Sequence, residues 1–146
     1  MADGQMNELS NRQKLTQLQN VSTLPLLTIR TVFPFRFFPA VLTLDREKLT
    51  ISDHFFFFGK QVENFLAKDI VSVTSTENGF FANLTFVSGM RINRKVSISY
   101  LWKDDAKRFR RILEGLLIAS REGINTMNIS DAELIKKLEE IGASQG

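Results

Sequence analysis

The chain contains no cysteine, and it has a single histidine, a single tryptophan and a single tyrosine among its 146 residues. The absence of cysteine excludes disulfides, thiolate metal sites and cysteine nucleophiles. One histidine, His54, cannot form a multi-histidine metal site. Gly79, Gly89 and Gly115 are isolated, so no glycine-rich phosphate loop is present. The sequence therefore predicts no cofactor, no metal site, no small-molecule substrate and no enzyme activity.

A long hydrophobic run is also missing. The first 23 residues are polar, and the most apolar stretch, residues 24–44, holds two arginines and all three prolines. Neither a secretory leader nor a membrane-spanning helix is predicted. The net charge is only +3, well short of the dense basic stripe that nucleic-acid binding requires. We expect a cytoplasmic protein, or one attached peripherally to the inner face of the membrane.

The middle of the chain carries the pattern of strands. Apolar and polar residues alternate over Leu49–Ser52, Val71–Thr74 and Val96–Tyr100, which is the period of a half-buried strand. Asn78-Gly79 is a strong hairpin signal. Short strands with turns between them, before any long helix, indicate a sandwich or barrel.

The period changes after Trp102. Over residues 103–122, apolar residues recur at spacings of three and four, which predicts a long amphipathic helix. Asp104 and Asp105 suit its start and Gly123 its end. Gly115 lies inside this helix, where it indicates either close packing against the sheet or simple tolerance of glycine.

A second, short helix is predicted to about Ile141. Ser130 followed by Glu133 has the spacing of a capping box at its start. The chain is thus divided into a mobile polar arm that includes at most a short helix, a strand-rich body with its capping helix, and a short helix with a tail, over residues 1–23, 24–123 and 124–146.

Several segments resemble the bacterial branch of the pleckstrin-homology-like family. They are Ile29–Phe35, Phe37–Pro39, Leu42–Asp45, Lys48–Ile51, Lys68–Ile70 and Tyr100–Lys103. The resemblance covers about residues 24–142. It implies an α+β fold: a strongly bent antiparallel β-barrel or sandwich of about seven strands, capped by a long C-terminal amphipathic helix and followed by a second short helix. Most members of this branch are of unknown function, so the resemblance concerns the fold more than the activity.

The resemblance also bears on lipid recognition. Phosphoinositide-binding members of that family carry several lysines and arginines around the first hairpin. The turn assigned to that hairpin here, Asp45–Lys48, has balanced charge. Specific recognition of an inositol phosphate is therefore not expected.

Phenylalanine is the abundant residue, with 13 copies. Four of them are consecutive, Phe55–Phe58, and on a strand one pair of the four would point outward because neighbouring side chains alternate between faces. An exposed phenylalanine forgoes about 1.5–3 kcal/mol of burial, so the arm, the C-terminal helices, another subunit or lipid is expected to cover it. The same question arises at Phe35, Phe37, Phe38, Phe80 and Phe81.

Basic residues cluster in two places. Lys107, Arg108, Arg110 and Arg111 lie off the apolar stripe of the helix and are interpreted as a solvated face. Arg91, Arg94 and Lys95 form a loop cluster suited to anionic lipid or an acidic protein. Arg36, among phenylalanines, has the composition of an interfacial anchor.

Two functional hypotheses follow. The first is a non-catalytic binding or scaffolding module that acts on a protein partner, or on a second copy, through an aromatic-rich surface. The second is a peripheral membrane domain that recognises anionic lipid without specific phosphoinositide readout. Nucleic-acid binding is disfavoured because the basic residues are dispersed. The candidate surface consists of Phe35, Arg36, Phe37, Phe38, Phe56, Phe58, Phe80, Phe81, Arg91, Arg94 and Lys95.

Overall fold

The computed structural model describes residues 7–16, 24–55, 59–89 and 94–145, and the first of these segments is a helix, α1. Seven strands follow: β1 Leu27–Arg30, β2 Val41–Leu44, β3 Lys48–Phe55, β4 Gly59–Leu66, β5 Ile70–Asn78, β6 Phe81–Ser88 and β7 Arg94–Trp102. A 3-10 turn, Ala67–Asp69, separates β4 from β5, and the chain continues with helices α2 Lys103–Arg121 and α3 Asp131–Ala143.

The strands form two antiparallel sheets, ordered β1-β2-β3-β4 and β5-β6-β7. An isolated bridge between Thr31 and Leu101 joins the end of β1 to β7, and beside it the Val32 N–H donates to the Tyr100 carbonyl at 2.8 Å. The sheets meet at this corner but are not closed on each other. The α+β class, the seven antiparallel strands and the two main helices are thus confirmed, whereas the described residues form two sheets and not a barrel.

The core draws on both sheets and on the apolar stripe of α2. Leu49 and Ile51 are buried, as their alternation along β3 predicts. Phe86 of β6 packs edge-to-face on Phe109 of α2, with ring centroids 6.5 Å apart. Burial of side chains of this size contributes about 1.5–3 kcal/mol each. Other fully buried residues are Leu42, Leu44, Ile70, Leu84, Leu101, Ile112, Leu113 and Leu116.

Two irregularities interrupt the predicted alternation. The register shifts between Ile70 and Ser72, and Val71 is exposed. Between β6 and β7, Ala82 pairs with Leu101 but Leu84 pairs with Ile98, so the pairing slips by one residue on β7. A one-residue slip moves the side chains that follow to the opposite face. The alternation therefore fails at Val71 and at Tyr100, and Leu101 points into the core instead.

The helix ends follow the sequence signals closely. Gly123, just past α2, has a φ of 66°, in the left-handed region that glycine adopts without strain. At the start of α3, the Ser130 side chain accepts a hydrogen bond from the Glu133 N–H at 3.4 Å. The predicted hairpin is also present: Gly79 has a φ of 62° in the connection between β5 and β6.

Helices α2 and α3 approach each other at two glycines. A Cβ on Gly115 of α2 would overlap the Leu138 carbonyl and lie 2.8 Å from its Cα, and a Cβ on Gly142 of α3 would lie 2.8 Å from the Arg111 Cα. Of the two interpretations of Gly115, close packing and simple tolerance of glycine, the structure agrees with close packing. The partner is the backbone of α3, however, and not the sheet.

Within the predicted N-terminal arm, the described residues 7–16 are helical, and Leu9 and Leu15 are exposed. Among all the helices described, none has the length and apolar character needed to cross a membrane.

Candidate functional site

Eight aromatic side chains gather where the β1–β2 connection, the tip of the β5–β6 hairpin and the end of β7 meet. We call them the aromatic surface: Phe33, Phe35, Phe37, Phe38, Phe80, Phe81, Tyr100 and Trp102. Leu101, between the last two, is fully buried and anchors this end of β7 in the core.

Seven of the eight rings touch one another in two groups, and Phe80 makes no ring contact within the described residues. Phe35 stacks on Tyr100 with centroids 5.7 Å apart and also contacts Phe81 at 4.9 Å. Phe81 continues to Trp102 at 5.4 Å. In the β1–β2 connection, Phe37 lies 6.0 Å from Phe33 and 6.0 Å from Phe38. Ring contacts of this kind contribute about 0.5–1.5 kcal/mol each beyond area burial, so the rings hold one another in place.

Most of this surface remains in contact with solvent. Six residues have exposed fractions between 44% for Tyr100 and 79% for Phe80. At about 200 Å² for a whole aromatic residue, the six expose roughly 700 Å² in total, divided between the two ring groups and Phe80. The largest apolar patch of a typical monomer is about 300–600 Å², and larger patches mark interaction sites. The six are Phe33, Phe35, Phe37, Phe80, Tyr100 and Trp102.

Tyr100 is exposed and has a strained backbone conformation. Its φ is 64°. Among the described residues, Tyr100 is the only one other than glycine that has a positive φ. An L-residue pays about 1–2 kcal/mol in this region. The strained residue lies at the register slip of β7, and the slip turns its ring out toward Phe35. Strain of this kind is typical of sites that serve a function.

The predicted candidate residues do not all come together. Phe35, Phe37 and Phe80 are exposed, and Phe38 and Phe81 are half-buried, all within the aromatic surface. Arg36 also lies there, but its guanidinium is paired with the Asp53 carboxylate. Phe56, Phe58 and Arg91 lie outside the described residues.

Arg94 and Lys95 belong to another part of the molecule. They begin β7, whereas Trp102 ends it, and the eight steps from residue to residue along the strand separate the two ends by roughly 26 Å. Arg94 is moreover paired with Glu63 at 2.6 Å. Arg94 and Lys95 therefore do not lie beside Trp102, and their part in a partner or lipid surface stays a prediction.

Sequence reasoning missed three members of the surface. Phe33 has the same composition signal as its neighbours and is exposed beside them. The alternation along β7 predicts that Tyr100 lies on the same face as Val96 and Ile98, whereas Tyr100 is exposed and Ile98 is buried. Trp102 directly precedes α2, where no local pattern shows which way its ring points.

Most cations on α2 are neutralised within the chain. Lys107 pairs with Glu77 at 3.1 Å, Arg108 with Glu139 at 3.4 Å and Arg110 with Glu114 at 3.8 Å. These ion pairs agree with the interpretation of this face as solvated, and they leave no concentrated positive patch on it.

One of these carboxylates is tuned by its partners. Hydrogen bonds from Lys103 and then Lys107 lower the pKa of Glu77, and the same contact raises the pKa of Lys103. This cluster of Glu77, Lys103 and Lys107 joins the β5–β6 hairpin to the start of α2. It therefore fixes two of the elements that carry the aromatic surface.

The turn Asp45–Lys48 has a structural role. It connects β2 to β3, so it is the second hairpin and not the first, as the sequence had suggested. The first hairpin connection is the aromatic segment between β1 and β2. Arg46, whose side chain is only 5% exposed, donates to the carbonyls of Thr126 and Ile129 and pairs with Asp131. Its guanidinium fastens the α2–α3 loop to the sheet.

A cavity of about 530 Å³ lies beside Arg46, between the 3-10 turn and the α2–α3 loop. Its walls include Leu66, Leu116 and Ile124, with Lys68 at the edge. A smaller cavity of about 120 Å³ between the sheets is lined by Asp53 and Glu63, the carboxylates that Arg36 and Arg94 neutralise. Arg46 beside the first cavity and the two carboxylates of the second already serve contacts within the chain.

His54 is exposed on β3. Within the part of the chain that is described, no group of three or more histidine, aspartate or glutamate residues is placed to hold a metal ion.

Comparison with protein-family models, with curated proteins and with solved structures gives no significant match for this chain. A functional assignment has to rest on its own residues.

Proposed function

We propose that the chain is a non-catalytic binding module that engages a protein partner, or a second copy of itself, through the aromatic surface. The observation that carries this proposal is the exposure of six neighbouring aromatic residues, one of them held in a strained backbone conformation. An estimated 700 Å² is close to the ~800 Å² that each partner contributes to a standard protein interface. Exposed tryptophan and tyrosine are also typical of binding hot spots.

A pleckstrin-homology-like fold is part of this proposal. Its support is the order of elements: a four-stranded antiparallel sheet, a three-stranded one and then a long amphipathic helix. The β1–β2 connection has a single charged residue, Arg36, and Asp53 neutralises it. This pairing agrees with the expectation that the module does not read inositol phosphates.

Light scattering over a range of protein concentrations, together with the binding of an apolar dye, tests the proposal. Phe80 is the variant of choice because it is the most exposed residue of the aromatic surface and lies at the hairpin tip. Phe80→Ser is expected to reduce self-association and dye binding with little change in the free energy of unfolding. Val62→Ser is the matched control: Val62 is a large apolar residue, also exposed, but outside the aromatic surface and not among the residues that line the cavity beside Arg46.

A strict monomer that binds no dye, and whose Phe80→Ser variant behaves identically, would count decisively against the proposal. Cosedimentation with vesicles adds a third arm. Binding to anionic vesicles that Phe80→Ser abolishes, without self-association, would assign the same surface to a membrane instead.

A further inference from the structure

The cavity beside Arg46 shares no lining residue with the aromatic surface. Its volume of about 530 Å³ lies within the range of about 300–1,000 Å³ that small-molecule sites enclose. The β2–β3 turn, the end of β4, the 3-10 turn, α2 and the α2–α3 loop form its walls. Arg46 holds the loop through the carbonyls of Thr126 and Ile129, so contacts within the chain already fix this wall.

Large apolar side chains line the cavity and remain in contact with solvent. Leu66, at the end of β4, is 41% exposed, and Ile124, in the α2–α3 loop, is 51% exposed. Leu116 of α2 and Met127 of the loop add to the apolar lining. Burial of apolar surface is favourable in proportion to its area, so these walls favour a ligand with an apolar body.

Three charged residues line the cavity, namely Arg46, Glu47 and Lys68. Arg46 is paired with Asp131. Glu47 and Lys68 are exposed and form no ion pair within the described residues. Their backbones are close, because the Ala67 N–H donates to the Glu47 carbonyl at 2.7 Å. The lining therefore presents one unpaired carboxylate and one unpaired ammonium group.

A ligand with a single charge would meet one group of opposite sign and one of its own sign. A zwitterion would meet a partner for each of its charges. Recognition of a zwitterion also does not depend on the net sign of the surroundings, because its two charges cancel. Asp69, Arg121 and Glu122, which adjoin lining residues in the sequence, do not line the cavity.

We propose that this cavity binds a small zwitterionic molecule with an apolar body, of the chemistry of a dipeptide of apolar amino acids. Its side chains lie against Leu66, Leu116 and Ile124, its carboxylate beside Lys68 and its ammonium group beside Glu47. The site goes beyond the proposed function, because it lies on a different part of the molecule from the aromatic surface.

Leucyl-leucine is the probe for this site. NMR of the full chain follows the methyl resonances of Leu66 and Ile124 while the dipeptide is added. N-acetylation of the dipeptide removes its ammonium charge, and methyl esterification removes its carboxylate charge. We expect each blocked form to reach half-saturation at a concentration about twofold to fivefold above that of leucyl-leucine, which corresponds to the loss of one solvent-exposed ion pair.

Two charge variants assign each end of the dipeptide to its partner. Lys68→Gln should bind leucyl-leucine and its methyl ester equally, while it still discriminates against the acetylated form. Glu47→Gln should show the reverse pattern. Lys60→Gln and Glu140→Gln are the matched controls, since both residues are exposed, lie outside the cavity lining and have no ion pair in the described part of the chain. Both controls should retain the two preferences.

Ile124→Ser tests the apolar lining. It should raise the half-saturating concentration of leucyl-leucine about fivefold. The fold should be unaffected, because Ile124 is exposed. Val62→Ser is the control here too, and it should bind the dipeptide as the wild type does.

Three results overturn the proposal. Equal half-saturation by leucyl-leucine and both blocked forms, or charge variants that behave as their controls do, excludes a zwitterion as the preferred ligand. Shifts confined to the aromatic surface, with Leu66 and Ile124 unmoved, exclude the cavity as the site. The absence of any shift up to the solubility limit of the dipeptide excludes this ligand chemistry altogether. None of these results touches the aromatic surface, whose test is Phe80→Ser, so the two proposals fail separately.

Discussion

At the scale of single residues, Tyr100 combines a strained backbone with an exposed ring. Its left-handed φ costs a tyrosine or an alanine about 1–2 kcal/mol but costs glycine almost nothing. We therefore expect Tyr100→Gly to be more stable than Tyr100→Ala by about 1 kcal/mol in urea unfolding, although both lose the stack on Phe35. Both variants should also lose binding at the aromatic surface. Equal stabilities of the two variants would mean that the backbone at this position is not strained.

Glu77 gives a pH dependence of defined sign. Its pKa lies below the ordinary value of 4.5 in the folded chain because Lys103 and Lys107 donate hydrogen bonds to it. A carboxyl group with a lowered folded pKa stabilises the fold above its unfolded pKa, and the stabilisation is lost as the pH falls through the folded value. The wild type should thus exceed Glu77→Gln in stability at neutral pH, and the gap should close below about pH 4.5.

Glu122→Gln is the control for this prediction, since Glu122 is exposed and forms no ion pair within the described residues. Its effect on stability should show no comparable change between neutral and acidic pH. Because the Glu77 group is exposed to solvent, high salt should also narrow the gap. A gap that stays constant with pH would show that the Glu77 carboxylate does not stabilise the fold.

Residue-level prediction from sequence works where the strand is regular. The alternation at Leu49 and Ile51 gives their burial correctly because β3 pairs with both neighbours without a slip through this region. It fails at Tyr100, since the slip in β7 depends on how β7 pairs with β6, and that information is not in the local sequence.

At the scale of elements, the α2–α3 contact depends on two glycines. Gly115→Ala and Gly142→Ala each place a methyl group into the backbone of the opposite helix. Despite the better helix propensity of alanine, overpacking should reduce the free energy of unfolding by about 1–3 kcal/mol in each variant. Thermal or urea unfolding measures the loss.

Ser120→Ala on α2 is the reference for these variants, because Ser120 is exposed and such changes usually stay within about 0.5 kcal/mol. If Gly115→Ala proves as stable as Ser120→Ala, the helices do not pack as closely as the glycines require.

The helices themselves are readable from sequence because their signals are local. The apolar period, the Gly123 end and the Ser130 start all appear within a few residues. The partner of Gly115 is not readable in this way. A glycine shows that something approaches closely, but the 3.6-residue period does not say whether a sheet or another helix does so.

At the scale of the whole molecule, Arg46 links distant parts of the chain. It holds Asp131, which is 85 residues away in sequence, and the carbonyls of Thr126 and Ile129. Arg46→Ala leaves these acceptors without their donor, and we expect a loss of about 2–3 kcal/mol in the free energy of unfolding. Lys48→Ala, in the same turn but with an exposed side chain, should cost less than about 0.5 kcal/mol.

Hydrogen exchange adds a regional readout. The amides of α3 should lose protection in Arg46→Ala more than those of the three-stranded sheet do, because the α2–α3 loop is the segment released. Uniform loss of protection across the molecule would argue against a local fastening role.

The global architecture could be predicted only in outline. Strands followed by helices indicate an α+β fold, and the count of seven strands is correct. Closure of the sheets is a different matter, because it depends on whether the edges of two sheets find hydrogen-bond partners, and no single segment encodes that. The location of the exposed rings depends in the same way on three connections that meet only in the folded chain.

The contact between Arg46 and α3 also has a consequence for biosynthesis. The ribosome releases the β2–β3 turn early and the groups that cover Arg46 much later, so the nascent sheet must keep an uncovered guanidinium in water until the C-terminal helix emerges. A message truncated before Thr126 would yield a product with all seven described strands but with this arginine uncovered. Cellular proteases should clear such a product faster than the full-length protein.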